Sequence, residues 1–216
     1  MPTLDDDRAP LASLRHLLGR LAVVEARARR AEQALADDGE QATLTAGLQR
    51  LLAAPDGRDG PPDEPDTAAL LARVEAAGDE AEQAGAVLRL RRLQRRFGLS
   101  PLDLDLLLVA VAPEVDTRFE VRYRRLSGEP AHGSGRATPG LALRLCLLPA
   151  AAVPARQRLA PDAPLVSGGL LRVLERDRPW LTRPLTVPGR VVEHLLGHDP
   201  PDPRLTPLLT HPPAAP

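Results

Sequence analysis

The sequence contains no lysine, no isoleucine and no asparagine, and all 28 of its basic residues are arginine. Codon bias in a GC-rich genome is reason enough, since the missing residues have AT-rich codons. The lack of lysine still has a chemical consequence: no Schiff-base lysine and no phosphate-loop lysine can exist in these residues. One cysteine, Cys146, excludes an intramolecular disulfide and suits a reducing compartment. Aromatic residues make up 2% (Phe97, Phe119, Tyr123 and Trp180), so the core must be built from Leu, Val and Ala. No apolar run reaches the ~20 residues of a membrane span. The first residues, MPTLDDDRAP, lack the basic-then-apolar order of a signal peptide. A net charge of −1 gives no global attraction to nucleic acid or to anionic lipid. The expectation is a soluble cytoplasmic protein.

What the chain has in abundance is leucine at helical spacing, concentrated between Leu88 and Leu126. A first helix there should end at Phe97–Gly98, where glycine can take the left-handed conformation of a helix C-terminus. Ser100 is placed to cap a second helix, with Pro101 in its first turn and Asp103 at the positive end of its dipole. Leu102, Leu104, Leu106, Leu107, Leu108, Val109 and Val111 leave that helix almost no polar face, so it should be central and buried. Pro113 is expected to open a third helix carrying Val115, Phe119, Tyr123 and Leu126.

Four regions follow from the rest of the chain. Residues 1–54 read as an N-terminal helical hairpin. Its first helix, Pro10 to Ala36, has a heptad seam of Leu14, Leu17, Leu21, Val24, Ala28, Ala31 and Leu35, with Arg15, Arg20, Arg27, Arg29, Arg30 and Glu32 opposite. Its second helix covers Gln41 to Ala53. The seam either packs on the main domain or mediates self-association through residues 11–36. Residues 55–66, PDGRDGPPDEPD, have nothing apolar to bury and read as a linker. Residues 67–197 form the main domain. Its first helix starts at Thr67 and, if continued through Val87 to Phe97, would be a 30-residue helix kinked at Gly78 or Gly85. Thr138 and Pro139 start a short helix ending near Leu148, and another lies around Ala150 to Leu159. The period then changes: Leu170 to Leu174 and Leu181 to Val187 read as two strands, the second an edge because of Pro184. Pro188 opens a last helix closed by Gly197. Residues 198–216 hold seven prolines in 19 positions and read as a disordered tail. The fold class expected is mainly α with a small β hairpin.

The run RRFGLSPLDLDLLLVAVAPEVDTRFEVRYRRL, followed by APDAPLVSGGLLRV and RPLTVPGRVVEHLLG, resembles the winged-helix region that precedes the ATPase module in a bacterial AAA+ family associated with contractile injection systems. The similarity covers about Leu88 to Gly197. It implies a winged-helix-like domain after the N-terminal hairpin. It also implies a docking role beside a motor, with an ATPase subunit or injection-system component as protein partner. The ATPase module itself is expected to be absent from this chain, because its phosphate loop needs lysine. No enzyme activity, cofactor or metal site is therefore expected.

Two kinds of contact residue stand out. Arg91, Arg92, Arg95 and Arg96 on one helix and Arg122, Arg124 and Arg125 on the third would make a strong local field if they shared a face. That is the case for the alternative, a DNA-binding regulator. Acidic residues interleave with them, however, and the helix placed to read bases, Pro139 to Leu148, offers only Arg144 as a long polar side chain, where base readout wants several. Solvated surface ion pairs are the default for these arginines. Trp180, in the ERDRPW turn, either covers the hairpin or anchors a partner. His194 and His198 stand four apart, but no second pair completes a metal site. Cys146 reads as a small buried hydrophobe, and the His132 to Gly135 stretch as a surface loop.

Overall fold

A computed structural model describes residues 8–37, 65–148 and 153–199. The helix expected over 41–53, nearly all of the linker and the tail beyond residue 199 lie outside the described residues. The central helix is Pro101–Val115, numbered α4 in chain order. Its start is the capping box expected at Ser100: the Ser100 hydroxyl accepts from the Asp103 amide at 3.2 Å, and the Asp103 carboxylate accepts from the Ser100 amide at 2.8 Å. Of the residues from Asp103 to Ala112, all but Asp105 are buried.

Pro113 does not open a new helix. It sits in the last turn of α4, and the next helix, α5, runs Arg118–Ser127 after a break at Asp116 and Thr117. The expectation rested on the bias of a residue before proline against helical backbone. Here tertiary packing wins, because the Tyr123 hydroxyl donates at 2.9 Å to the Val109 carbonyl, whose usual i+4 donor proline lacks.

Before α4 come α1 (Arg8–Asp37), α2 (Pro65–Gln83) and α3 (Arg89–Phe97). The continuous 30-residue helix does not form. Gly85 has φ +90°, and the Ala86 amide bonds back to the Ala81 carbonyl at 2.9 Å, so the chain turns between α2 and α3. The seam of α1 is used within the chain: Leu17, Leu21, Val24 and Ala28 lie in the same core cluster as Leu106, Leu107 and Tyr123. That packing leaves little of the seam for a second copy. Arg20 and Arg27, expected on the solvent side, are buried as well.

The remaining elements complete the core and carry a two-stranded wing. They are α6 (Pro139–Leu145), α7 (Val153–Gln157), α8 (Pro164–Ser167), β1 (Arg172–Val173), a 3-10 turn (Trp180–Thr182), β2 (Leu185–Thr186) and α9 (Gly189–Leu196). Thr138 caps α6, its hydroxyl accepting from the Leu141 amide at 3.2 Å. The strands are antiparallel, with Arg172 opposite Thr186 and Val173 opposite Leu185. Both are shorter than expected. Pro184 has no amide to carry the ladder on, although its carbonyl accepts from the Leu174 amide at 2.9 Å, and Trp180 to Thr182 turn instead of extending. The Leu185 amide bonds to the Ala137 carbonyl at 2.8 Å, which ties the wing to the entry of α6.

Candidate functional site

The arginines that the sequence singles out do not form one basic face. Arg91 is drawn under α2, where it donates to Asp79 at 2.6 Å, Glu82 at 2.9 Å and Glu75 at 2.6 Å. Its side chain is only 12% exposed. Arg95 pairs with Glu82 at 2.9 Å from the outside. Arg122 turns the other way, to Glu32 of α1 at 2.6 Å, and Arg124 lies 3.8 Å from Glu120. Arg144 donates to the Leu126 carbonyl at 2.9 Å. Arg92, Arg96 and Arg125 are exposed and make no ion pair with a described residue. Three of the seven helix arginines are thus open to a partner, on two different helices.

The clamp between α1, α2 and α3 is structural. Glu75 takes Arg20 at 2.6 Å besides Arg91, and Asp105 takes Arg20 at 2.8 Å and Arg27 at 2.9 Å. The His16 imidazole lies 3.5 Å from the Glu75 carboxylate, and its buried ring nitrogens have no hydrogen-bond partner within the geometry of a normal bond. The His16, Arg20 and Arg91 side chains hold the Glu75 carboxyl far below the usual carboxylate range, against partial burial that pushes it the other way. Farther along the chain, His194 and Arg89 lower the Asp199 carboxyl, with His194 Nδ1 2.5 Å from Asp199 Oδ1. Among the described residues no group of His, Cys, Asp and Glu could hold a metal ion.

Sequence reasoning missed the place where arginines gather without an ion pair to a described residue. An open groove of about 580 Å³ runs beside the wing. Leu159, Val166, Val173, Leu174 and Trp180 contribute its apolar surface, Arg156, Arg172, Arg176 and Arg183 its charge, and none of the lining residues is acidic. Arg156 lies over the Trp180 ring at 4.3 Å from the centroid, a cation–π contact. Arg183 Nε donates to the Arg178 carbonyl at 2.8 Å and its Nη2 to the Arg176 carbonyl, which fixes the wing turn. Trp180 itself is half-buried and packs against both core clusters, so it covers the hairpin while one side meets the groove. The four arginines come from α7, β1 and the wing turn, and no periodicity of the sequence unites them. Cys146, expected to be buried, is half-buried against the same clusters.

A helical core bearing a two-stranded antiparallel hairpin is the architecture of a winged helix, and a family model described as winged helix domain, variant, matches residues 11–209. The chain belongs to that family. In this winged-helix domain the match includes α1, which agrees with the packing of α1 in the core. Neither the curated proteins nor the solved structures searched gave a match. No helix among the described residues of the winged-helix domain is long and apolar enough to cross a membrane.

Proposed function

We propose that this winged-helix domain is a non-catalytic protein-docking module. One observation carries the reading. The helix in the position of a base reader, α6, buries Pro139, Leu141, Ala142, Leu143 and Leu145, and its single long polar side chain, Arg144, is bonded back to the Leu126 carbonyl. A helix so occupied has nothing left for base edges, which need several free Arg, Asn or Gln side chains. The pairing of Arg91, Arg95 and Arg122 within the chain supports the same conclusion.

The finer reading rests on sequence resemblance over Leu88 to Gly197: the domain positions partners beside an AAA+ ATPase of a contractile injection system. The absence of lysine supports a role for this chain without its own phosphate loop. Affinity capture from the native host with the tagged chain tests this reading. It is expected to return an ATPase subunit or an injection-system component, and capture of neither overturns the placement. Filter binding to duplex DNA at two salt concentrations tests the docking class. Saturable binding at low salt that falls steeply as salt rises would replace docking with nucleic-acid recognition.

A further inference from the structure

We propose that the wing groove binds an extended acidic peptide segment of the docking partner, an inference that rests on the docking reading above. Charge complementarity is the first argument. Arg156, Arg172 and Arg176 are exposed, and none makes an ion pair with a described residue, whereas Arg20, Arg91 and Arg122 each meet at least two carboxylates. Like charges gathered around a groove without acidic lining raise the local potential, and a bound carboxylate relieves it through charge-assisted hydrogen bonds.

The shape and chemistry of the floor narrow the ligand further. Val173, Leu174 and Trp180 give apolar surface between the guanidinium groups, and β1 lines the groove. Among the described residues the sheet has two strands, so the outer edge of β1 has no strand partner. An extended chain laid along such an edge can use main-chain hydrogen bonds while alternate side chains face the floor. A segment alternating acidic and apolar residues meets both the arginines and the floor. A single-stranded nucleic acid fits less well, since it would gain by stacking a base on Trp180, and Arg156 already covers that ring.

Trp180 is the only tryptophan of the chain, so its fluorescence reports on this groove. The full chain is titrated with a synthetic peptide alternating glutamate and valine, with a peptide alternating arginine and valine, and with an oligothymidylate. The glutamate peptide is expected to give a saturable change that weakens with salt, and the arginine peptide none. In the Arg172→Gln/Arg176→Gln double variant, whose replaced side chains are exposed and unpaired, binding of the glutamate peptide is expected to fall about tenfold or more. No saturable change, equal affinity in the double variant, or tighter binding of the oligothymidylate overturns the proposal. Affinity capture from the host separates the two levels. If the double variant retains the partner that the unaltered chain captures, the groove assignment fails and docking stands. If neither captures a partner, docking itself fails.

Discussion

The Tyr123 hydroxyl donates at 2.9 Å to the Val109 carbonyl, the acceptor that Pro113 leaves without its helical donor four residues on. Both Tyr123 and Val109 are fully buried, so neither group has water as an alternative. Burial pushes the Tyr123 phenol well above its ordinary range, which keeps the donor proton in place. Tyr123→Phe is expected to lower stability by about 2 kcal/mol, the cost of a buried unsatisfied carbonyl plus a lost bond. Pro113→Ala restores an amide at position 113, so Tyr123→Phe should cost markedly less in that background. A double-mutant cycle by urea denaturation checks this, and purely additive effects would show the two residues to be uncoupled.

Glu75 makes the fold acid-sensitive. Its folded-state pKa lies below the ordinary glutamate value of 4.5, so its ion pairs contribute fully above that value and are lost as pH falls below it. The urea midpoint should therefore drop between pH 5 and pH 3, and less steeply in Glu75→Gln, which has no charge to lose. Parallel pH profiles would assign the acid sensitivity to other carboxylates.

Asp105 is the one residue between Asp103 and Ala112 that is not buried, and it neutralises two buried arginines of α1. Asp105→Ala removes one carboxylate from the surroundings of both Arg20 and Arg27 and is expected to cost about 3 kcal/mol. Thermal denaturation provides the measurement. A loss below about 1 kcal/mol, the size of a surface pair, would mean that solvent reaches the site.

Gly135 has φ +61°, and a Cβ there would lie 2.6 Å from the Glu120 carbonyl oxygen. Left-handed strain and a backbone clash act together, so Gly135→Ala should destabilise by about 2 kcal/mol. Gly98, also left-handed at φ +61° but with open space around it, supplies the control. Gly98→Ala should lose only about 1 kcal/mol, measured by the same urea titration.

Much of the local architecture was legible because its causes are local. Ser100 and Asp103 satisfy each other's amides within four residues with Pro101 in the first turn, and the Thr138 hydroxyl takes the Leu141 amide at the start of α6 beside Pro139. The errors fell where a proline or a tertiary partner overrides the local pattern. Pro113 reads as a helix start until Tyr123 supplies the donor, and the wing strands read longer than the two paired residues that Pro184 and the turn at Trp180 permit. The site was legible only in part. Trp180 stood out as a rare residue, while the groove arginines around it did not, and among the arginines picked out by density Arg91 and Arg95 proved to be neutralised from the neighbouring helix α2 and Arg122 from the distant α1.

Composition and periodicity alone determined a leucine-built, mainly helical chain without a phosphate-loop lysine, because residue identity and the 3.6-residue period act within one helix. Which charges cancel and which remain open was decided only in three dimensions. An ion pair depends on distances across 50 to 100 residues of chain, as between Arg20 and Glu75 or Arg122 and Glu32, and no spacing along the sequence encodes them.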